Sequence, residues 1–78
     1  MLGRHVYRVS PTPNGVWRIT KEGEAAARDS RGTRERAVAL ACALAAADEP
    51  SKVVVENTDG TLADERVFGT DRGINPSV

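Results

Sequence analysis

The chain has 78 residues, 40% of them hydrophobic, and its 11 basic residues balance 11 acidic ones, so the formal net charge is zero. A chain of this length folds as one domain with a thin core, because a small domain buries only about 60% of the surface of its unfolded chain. These figures exclude a large enclosed active site and provide none of the overall positive charge that typifies nucleic-acid-binding proteins.

Two short alternating runs open the chain. The first places Tyr7 and Val9 on one face, and the second does the same with Trp17 and Ile19. Both runs favour β-branched and aromatic residues, as strands do. The break between them contains Asn-Gly at positions 14–15, a pair that favours a tight turn. The pattern therefore predicts a β-hairpin.

A helix is predicted after a polar loop that runs from Gly23 to Gly32. Thr33 is a suitable N-cap residue, and Glu35 in the first turn interacts favourably with the positive end of the helix dipole. Residues 34–48 have high helix propensity almost throughout, and Pro50 ends the run.

A second hairpin is predicted after the helix. Residues 52–56 are rich in valine, Asp-Gly at 59–60 is a strong turn signal, and residues 62–68 return as a strand. We therefore predict a single ββαββ domain of the α+β class over residues 1–69, in which an antiparallel sheet built from two hairpins packs against one helix. Residues 70–78 are predicted to form a C-terminal tail.

The expected core combines the inward side of both hairpins with one side of the helix. Its large members are Tyr7, Val9, Trp17, Ile19, Val38, Leu44 and Phe68. Trp17 is placed in this core, rather than on the surface as a stacking platform for a nucleic-acid base, because small domains depend on aromatic side chains for burial.

The predicted helix is largely apolar on both sides. Helical spacing places one group toward the sheet: Ala37, Val38, Ala41, Leu44, Ala45 and Asp48. The opposite side carries no charge and consists of Ala39, Leu40, Cys42, Ala43, Ala46 and Ala47. A helix on one side of a single sheet normally exposes a polar face. One interpretation is that Leu40, Ala43 and Ala47 contact a second copy or a partner helix. The other is that exposed alanine only reflects helix propensity.

Short motifs follow one another along most of the chain. They are Val9-Ser10-Pro11, Asn14–Trp17 and Lys21–Gly23 in the first hairpin, then Thr33, Ala37-Val38 and Ala41 in the helix, then Val54-Val55, Asp59–Thr61 and Phe68-Gly69 in the second hairpin. This order resembles the Domain of Unknown Function 2188 family of short bacterial and phage proteins. The resemblance implies a compact ββαββ unit with a sheet backed by one helix, and it assigns no catalytic residues, because none are established for the family. In that family the outer face of the helix is commonly charged, whereas here it is apolar.

Candidate catalytic and metal-binding groups have no partners in the sequence. His5 is the single histidine, and Cys42 lies in mid-helix with no base nearby, so we interpret them as a strand residue and a small hydrophobic residue. Asp64 and Glu65 are adjacent on a strand and point to opposite faces, so they cannot act as a carboxylate pair. We expect no enzymatic activity, no cofactor, no metal and no small-molecule substrate.

The cellular location follows from cysteine and hydropathy. Cys42 alone cannot form an intramolecular disulfide, although a secreted domain of this size would normally need such a staple. The N-terminus lacks the apolar segment of a secretory signal. The longest apolar run, residues 37–47, is about half of the ~20 residues that cross a bilayer. We expect a cytoplasmic protein without membrane association.

Arginine dominates the basic residues, with nine of the eleven. Arg4, Arg8 and Arg18 alternate with apolar positions, so we expect them on the outer face of the sheet, where guanidinium groups could contact nucleic-acid phosphates. The alternative is a solvated face with ion pairs to acidic residues such as Glu56 and Glu65.

Together these patterns indicate a small non-catalytic binding module. The first interpretation is contact with another protein, or formation of a homodimer, through the apolar outer face of the helix. The alternative is nucleic-acid binding through the arginine-bearing face of the sheet.

Overall fold

A computed structural model of the chain describes residues 4–69. This range contains five strands and one helix: β1 (His5–Pro11), β2 (Trp17–Lys21), β3 (Asp29–Arg31), α1 (Arg34–Ala46), β4 (Ser51–Glu56) and β5 (Leu62–Phe68). The strands form one sheet in the order β3-β2-β1-β4-β5, and α1 packs on one face of it. The α+β class, with one helix against one sheet, is confirmed. The tail predicted for residues 70–78 lies outside the described residues.

Both predicted hairpins are present. β1 pairs antiparallel with β2, and β4 pairs antiparallel with β5. Their turns contain Gly15 and Gly60 at positive φ angles of 83° and 88°, a conformation that costs little only for glycine. In the second turn the Asp59 carboxylate accepts hydrogen bonds from the Thr61 backbone N–H at 3.0 Å and from the Thr61 hydroxyl at 2.6 Å. The turn residues therefore fix the register of each hairpin.

The sheet is mixed rather than wholly antiparallel, because the two hairpins meet through a parallel pair. β1 and β4 run in the same direction, with Tyr7 opposite Val53. Residues 29–31, inside the predicted loop, form the short strand β3, which pairs antiparallel with β2. This strand reverses the chain before α1, and α1 then crosses the sheet to start β4 parallel to β1. None of the three residues of β3, Asp, Ser and Arg, belongs to the types enriched in strands, so β3 depends on its pairing with β2.

The core lies between α1 and the sheet face that it covers. The sheet contributes side chains that are at most 2% exposed: Tyr7, Val9, Ile19, Val53 and Val55. The helix contributes Ala37, Ala41 and Ala45, which are fully buried at successive turns. Their small side chains allow the helix backbone to lie close to the sheet. Four of the predicted core residues are half-buried at its border: Trp17, Val38, Leu44 and Phe68.

Both ends of α1 are closed by hydroxyl side chains. Thr33 is the N-cap residue, as predicted, and its side chain accepts a hydrogen bond from the backbone N–H of Arg36 at 3.2 Å. At the other end the fully buried Ser51 hydroxyl donates to the carbonyl of Ala45. This bond satisfies one of the carbonyls that a helix leaves without an internal partner. The helix ends at Ala46, two residues before the predicted boundary.

Candidate functional site

The exposed side of α1 is an uncharged strip of alanines, which we call the outer helix face. It consists of Ala39, Ala43, Ala46 and Ala47. The charged residues of the helix, residues 34–36, lie in its first turn. The structure thus places Ala43 and Ala47 side by side on one exposed surface. Leu40 is half-buried and packs against the core, so it lies at the border of the outer helix face rather than at its centre.

Alanine occurs on both sides of the helix for different physical reasons. Ala41 faces the sheet with no exposed surface, whereas Ala43 faces solvent. Cys42 is half-buried and packs against the core, which fits its interpretation as a small hydrophobic residue. A second helix could approach the outer helix face closely, at the lower end of the usual interaxial range of about 8–10 Å, because its side chains are small.

The sheet face opposite α1, which we call the uncovered face, carries two of the three arginines singled out in the sequence. Arg8 lies opposite Thr20, and Arg18 lies opposite Ser10. The Arg8 guanidinium donates hydrogen bonds to Glu22 at 2.7 Å and to a second carboxylate, that of Glu56, at 2.8 Å. These two bonds raise the pKa of Arg8, and its charge is already balanced.

The other basic residues of this region differ from one another. Arg18 is exposed and forms no ion pair within residues 4–69. Lys52, on the uncovered face, pairs with Glu65 at 3.0 Å. Arg4 instead donates to backbone carbonyls of Phe68 at 3.1 Å and Gly69 at 3.0 Å, and so fastens the start of β1 to the end of β5. The structure therefore does not gather the three arginines into one basic patch.

A polar cluster that the sequence analysis missed lies at the C-terminal end of α1. Asp48 accepts a hydrogen bond from the Tyr7 hydroxyl at 2.8 Å, and Lys21 Nζ lies 2.8 Å from the same carboxylate oxygen. His5 Nε2 lies 3.8 Å from the other oxygen. The cluster therefore joins the end of the helix to the first two strands. A signal was present, because strand alternation and helical spacing place these residues on facing sides.

The electrostatics of the Asp48 cluster stabilise its ordinary protonation states. The bonds from Lys21 and then from Tyr7 lower the pKa of Asp48. Burial, followed by the bond to Asp48, raises the pKa of Tyr7. The bond to Asp48 likewise raises the pKa of Lys21. A general acid or base works best with a pKa near the working pH, whereas all three groups are moved away from neutrality. The cluster therefore has the properties of a structural anchor.

An open cleft of about 390 Å³ separates the start of α1 from β5. Its walls mix apolar side chains with charges of both signs: Arg34, Glu35, Val38, Ala39, Val55, Asp64 and Arg66. Across residues 4–69 no group of three histidine, cysteine or acidic side chains is placed to hold a metal ion. No buried polar side-chain atom of the described chain lacks a hydrogen-bond partner.

Comparison with known protein families gives a match to a family model. The model described as "Uncharacterized protein conserved in bacteria (DUF2188)" matches residues 7–68. The chain belongs to this family. The resemblance inferred from the motifs is thereby confirmed, and the DUF2188 match extends from β1 to the end of β5. No curated protein and no solved structure matches the chain. Within the described part of this family member, no helix is long and apolar enough to span a bilayer.

Proposed function

We propose that this protein is a small non-catalytic interaction module that binds another protein through the outer helix face. The observation that carries the proposal is the exposure of four alanines without a charged residue among them. On a helix that covers one side of a single sheet, the outward positions are normally polar. A strip that is both exposed and apolar favours contact with another surface.

The partner that best fits this surface is a helix. Ala39, Ala43 and Ala47 are spaced by four residues, so they lie in one row that a partner helix can follow. Leu40 adds a larger apolar side chain at the border of the row. Because alanine buries little area and stable interfaces bury about 1,200–2,000 Å² in total, we expect weak or transient binding.

Two further observations support a binding role over a catalytic or nucleic-acid-binding role. The pKa values of Asp48, Tyr7 and Lys21 are moved away from neutrality, which does not suit proton transfer. The Arg8 guanidinium is already bound by two carboxylates, so releasing it to contact a phosphate would leave both without their partner. The unpaired Cys42 favours a reducing cytoplasm as the place of action.

Site-specific cross-linking tests this proposal. A photoreactive residue at position 43, introduced into the protein in bacterial cells, should capture a partner that the same residue at position 26 does not. Ala26 is a matched control because it is also an exposed alanine, but it lies in the loop before β3. The captured partner is then purified, and its dissociation constant for this protein and for variants of it is measured by titration.

The titration decides the outcome. Ala43→Arg should raise the dissociation constant at least about tenfold, because it places a charge in an apolar contact. Ala26→Arg should change it less than about twofold. Equal affinities for the two variants would contradict the proposal. So would the capture of no partner from position 43.

A further inference from the structure

The two edges of the sheet differ in length and chemistry. β3 has three residues and ends the sheet on one side, whereas β5 has seven residues and ends it on the other. A long edge strand presents unpaired backbone N–H and C=O groups that can pair with another strand. Leu62 and Val67 are the exposed large hydrophobic residues of the described chain, at 58% and 56%, and both belong to β5.

The register of β5 places these two side chains on one side of the sheet. Leu62 lies opposite Glu56, and Val67 lies opposite Lys52, so both belong to the uncovered face. The register shifts between Val55 and Glu56, which leaves Ala63 without an opposite residue on β4. The apolar side chains thus lie toward the two ends of the strand, with the charged residues between them.

We propose that β5 pairs antiparallel with β5 of a second copy of this chain, about a two-fold axis that passes midway between the two Glu65 residues. In this register Asp64 of each copy lies opposite Arg66 of the other, because positions 64 and 66 are equidistant from the axis. Val67 of each copy lies opposite Ala63 of the other, beside Leu62. The two five-stranded sheets then form one continuous sheet.

Charge complementarity argues for a second copy as the occupant. A two-fold contact requires that each residue meet its counterpart reciprocally, and Asp64 with Arg66 satisfies this on the helix side of the sheet. Within one copy these side chains lie 3.3 Å apart, and both are exposed. They are therefore free to exchange partners across the axis with little change in solvation.

The same register brings two Glu65 side chains together on the uncovered face. Each Glu65 carboxylate already lies 3.0 Å from the Lys52 ammonium of its own chain. The centre of the contact therefore holds two negative and two positive charges. It replaces a repulsive pair with a balanced cluster of four.

A charge-swap series measured by sedimentation velocity tests the pairing. The unmodified protein should show a concentration-dependent dimer between about 10 and about 500 µM, since a contact between two strands is smaller than a standard interface. Arg66→Asp, which opposes two carboxylates across the axis, should raise the dimer dissociation constant at least about tenfold. The double variant with Asp64→Arg and Arg66→Asp restores opposite charges and should return to within about threefold of the original value.

Two controls separate this contact from other causes. Arg18→Asp makes the same charge change at an exposed position of β2 and should alter the dimer dissociation constant less than about twofold. Thermal unfolding of each variant shows whether it is folded. If Arg66→Asp does not fold, Val67→Lys places a charge in the apolar part of the contact instead and should give a monomer.

Three outcomes overturn the inference. A monomer at about 500 µM excludes the dimer at the concentration where even a small interface should form. A dimer that tolerates Arg66→Asp but dissociates with Ala43→Arg uses the outer helix face instead. A dimer in which amide hydrogen exchange of residues 62–68 does not slow with rising concentration pairs elsewhere. The cross-linking test at position 43 is independent of these outcomes, so this inference and the proposed function can fail separately.

Discussion

Val53 and Val54 are neighbours on β4, but α1 covers only one of them. Val53 points toward the helix and is fully buried, whereas Val54 points to the uncovered face and is 8% exposed. The strands on either side shield Val54, with Arg8 opposite on β1 and Glu65 opposite on β5. A valine side chain is therefore buried by a helix on one face of the sheet, and by the long polar side chains that flank it on the other face.

The comparison shows two ways of burying the apolar side chains of a small sheet. On the covered face, alanines of α1 bring the helix backbone close to the valines, so burial depends on tight packing. On the uncovered face, the aliphatic parts of charged side chains such as Arg8 and Lys52 lie over the sheet while their charges remain paired near water. The first face should tolerate little change in volume, and the second should tolerate more.

Paired alanine substitutions give the largest expected effect and test this difference. Val53→Ala should lower the free energy of unfolding by about 2–3 kcal/mol, because the helix cannot collapse into the cavity. Val54→Ala should cost about 1 kcal/mol, because flexible side chains can fill the space. Urea denaturation of the two variants measures both values. Equal losses would show that the two faces are packed alike.

The parts of the fold that the sequence predicts are those with local signals. Alternation over residues 5–10 and the turns at Gly15 and Gly60 are local signals, so both hairpins can be predicted. The helix start is equally local, because Thr33 acts on the first turn. The strand at residues 29–31 has no local signal, because it forms only against β2, and its absence from the prediction also hid the parallel pairing of β1 with β4.

The candidate sites are less predictable because they depend on partners distant in sequence. Alanine occupies both sides of α1, so the pattern alone could not place Leu40 at the border of the core rather than on the outer helix face. Arg4 and Arg8 follow the strand alternation, but the acceptors that hold them lie far along the chain. The Asp48 cluster similarly joins residues separated by 41 positions.

Asp48→Asn is expected to have a smaller effect and tests how the covered face is fastened at its end. The substitution removes the charge that holds Lys21 and accepts from Tyr7, so the melting temperature at pH 7 should fall. Because the folded-state pKa of Asp48 is lowered, its stabilising effect is complete above the unfolded pKa of about 3.9 and is lost as the pH falls through the folded value. The difference between the two proteins should therefore shrink in acid.

The dependence of stability on alkaline pH and a control variant complete this test. Lys21 has a raised folded-state pKa, so its contribution is complete below the unfolded value of about 10.4 and is lost at higher pH. Glu49→Gln removes one charge from the adjacent exposed residue and should leave the melting temperature at pH 7 nearly unchanged. A difference between Asp48→Asn and the original protein that stays constant from pH 7 to pH 3 would show that the carboxylate charge is irrelevant.

The smallest expected effect concerns the uncovered face, where we expect no nucleic-acid binding. Phosphate contacts release condensed counterions, so any such binding should be strongest at low salt. Neither duplex nor single-stranded nucleic acid should change mobility with the folded protein at tens of micromolar in low salt. The reason is that Arg8 is held between Glu22 and Glu56, and a single exposed arginine, Arg18, then has no ion pair within residues 4–69. A shift that disappears with Arg8→Glu and Arg18→Glu together, while the melting temperature is retained, would instead make the uncovered face a phosphate-binding surface.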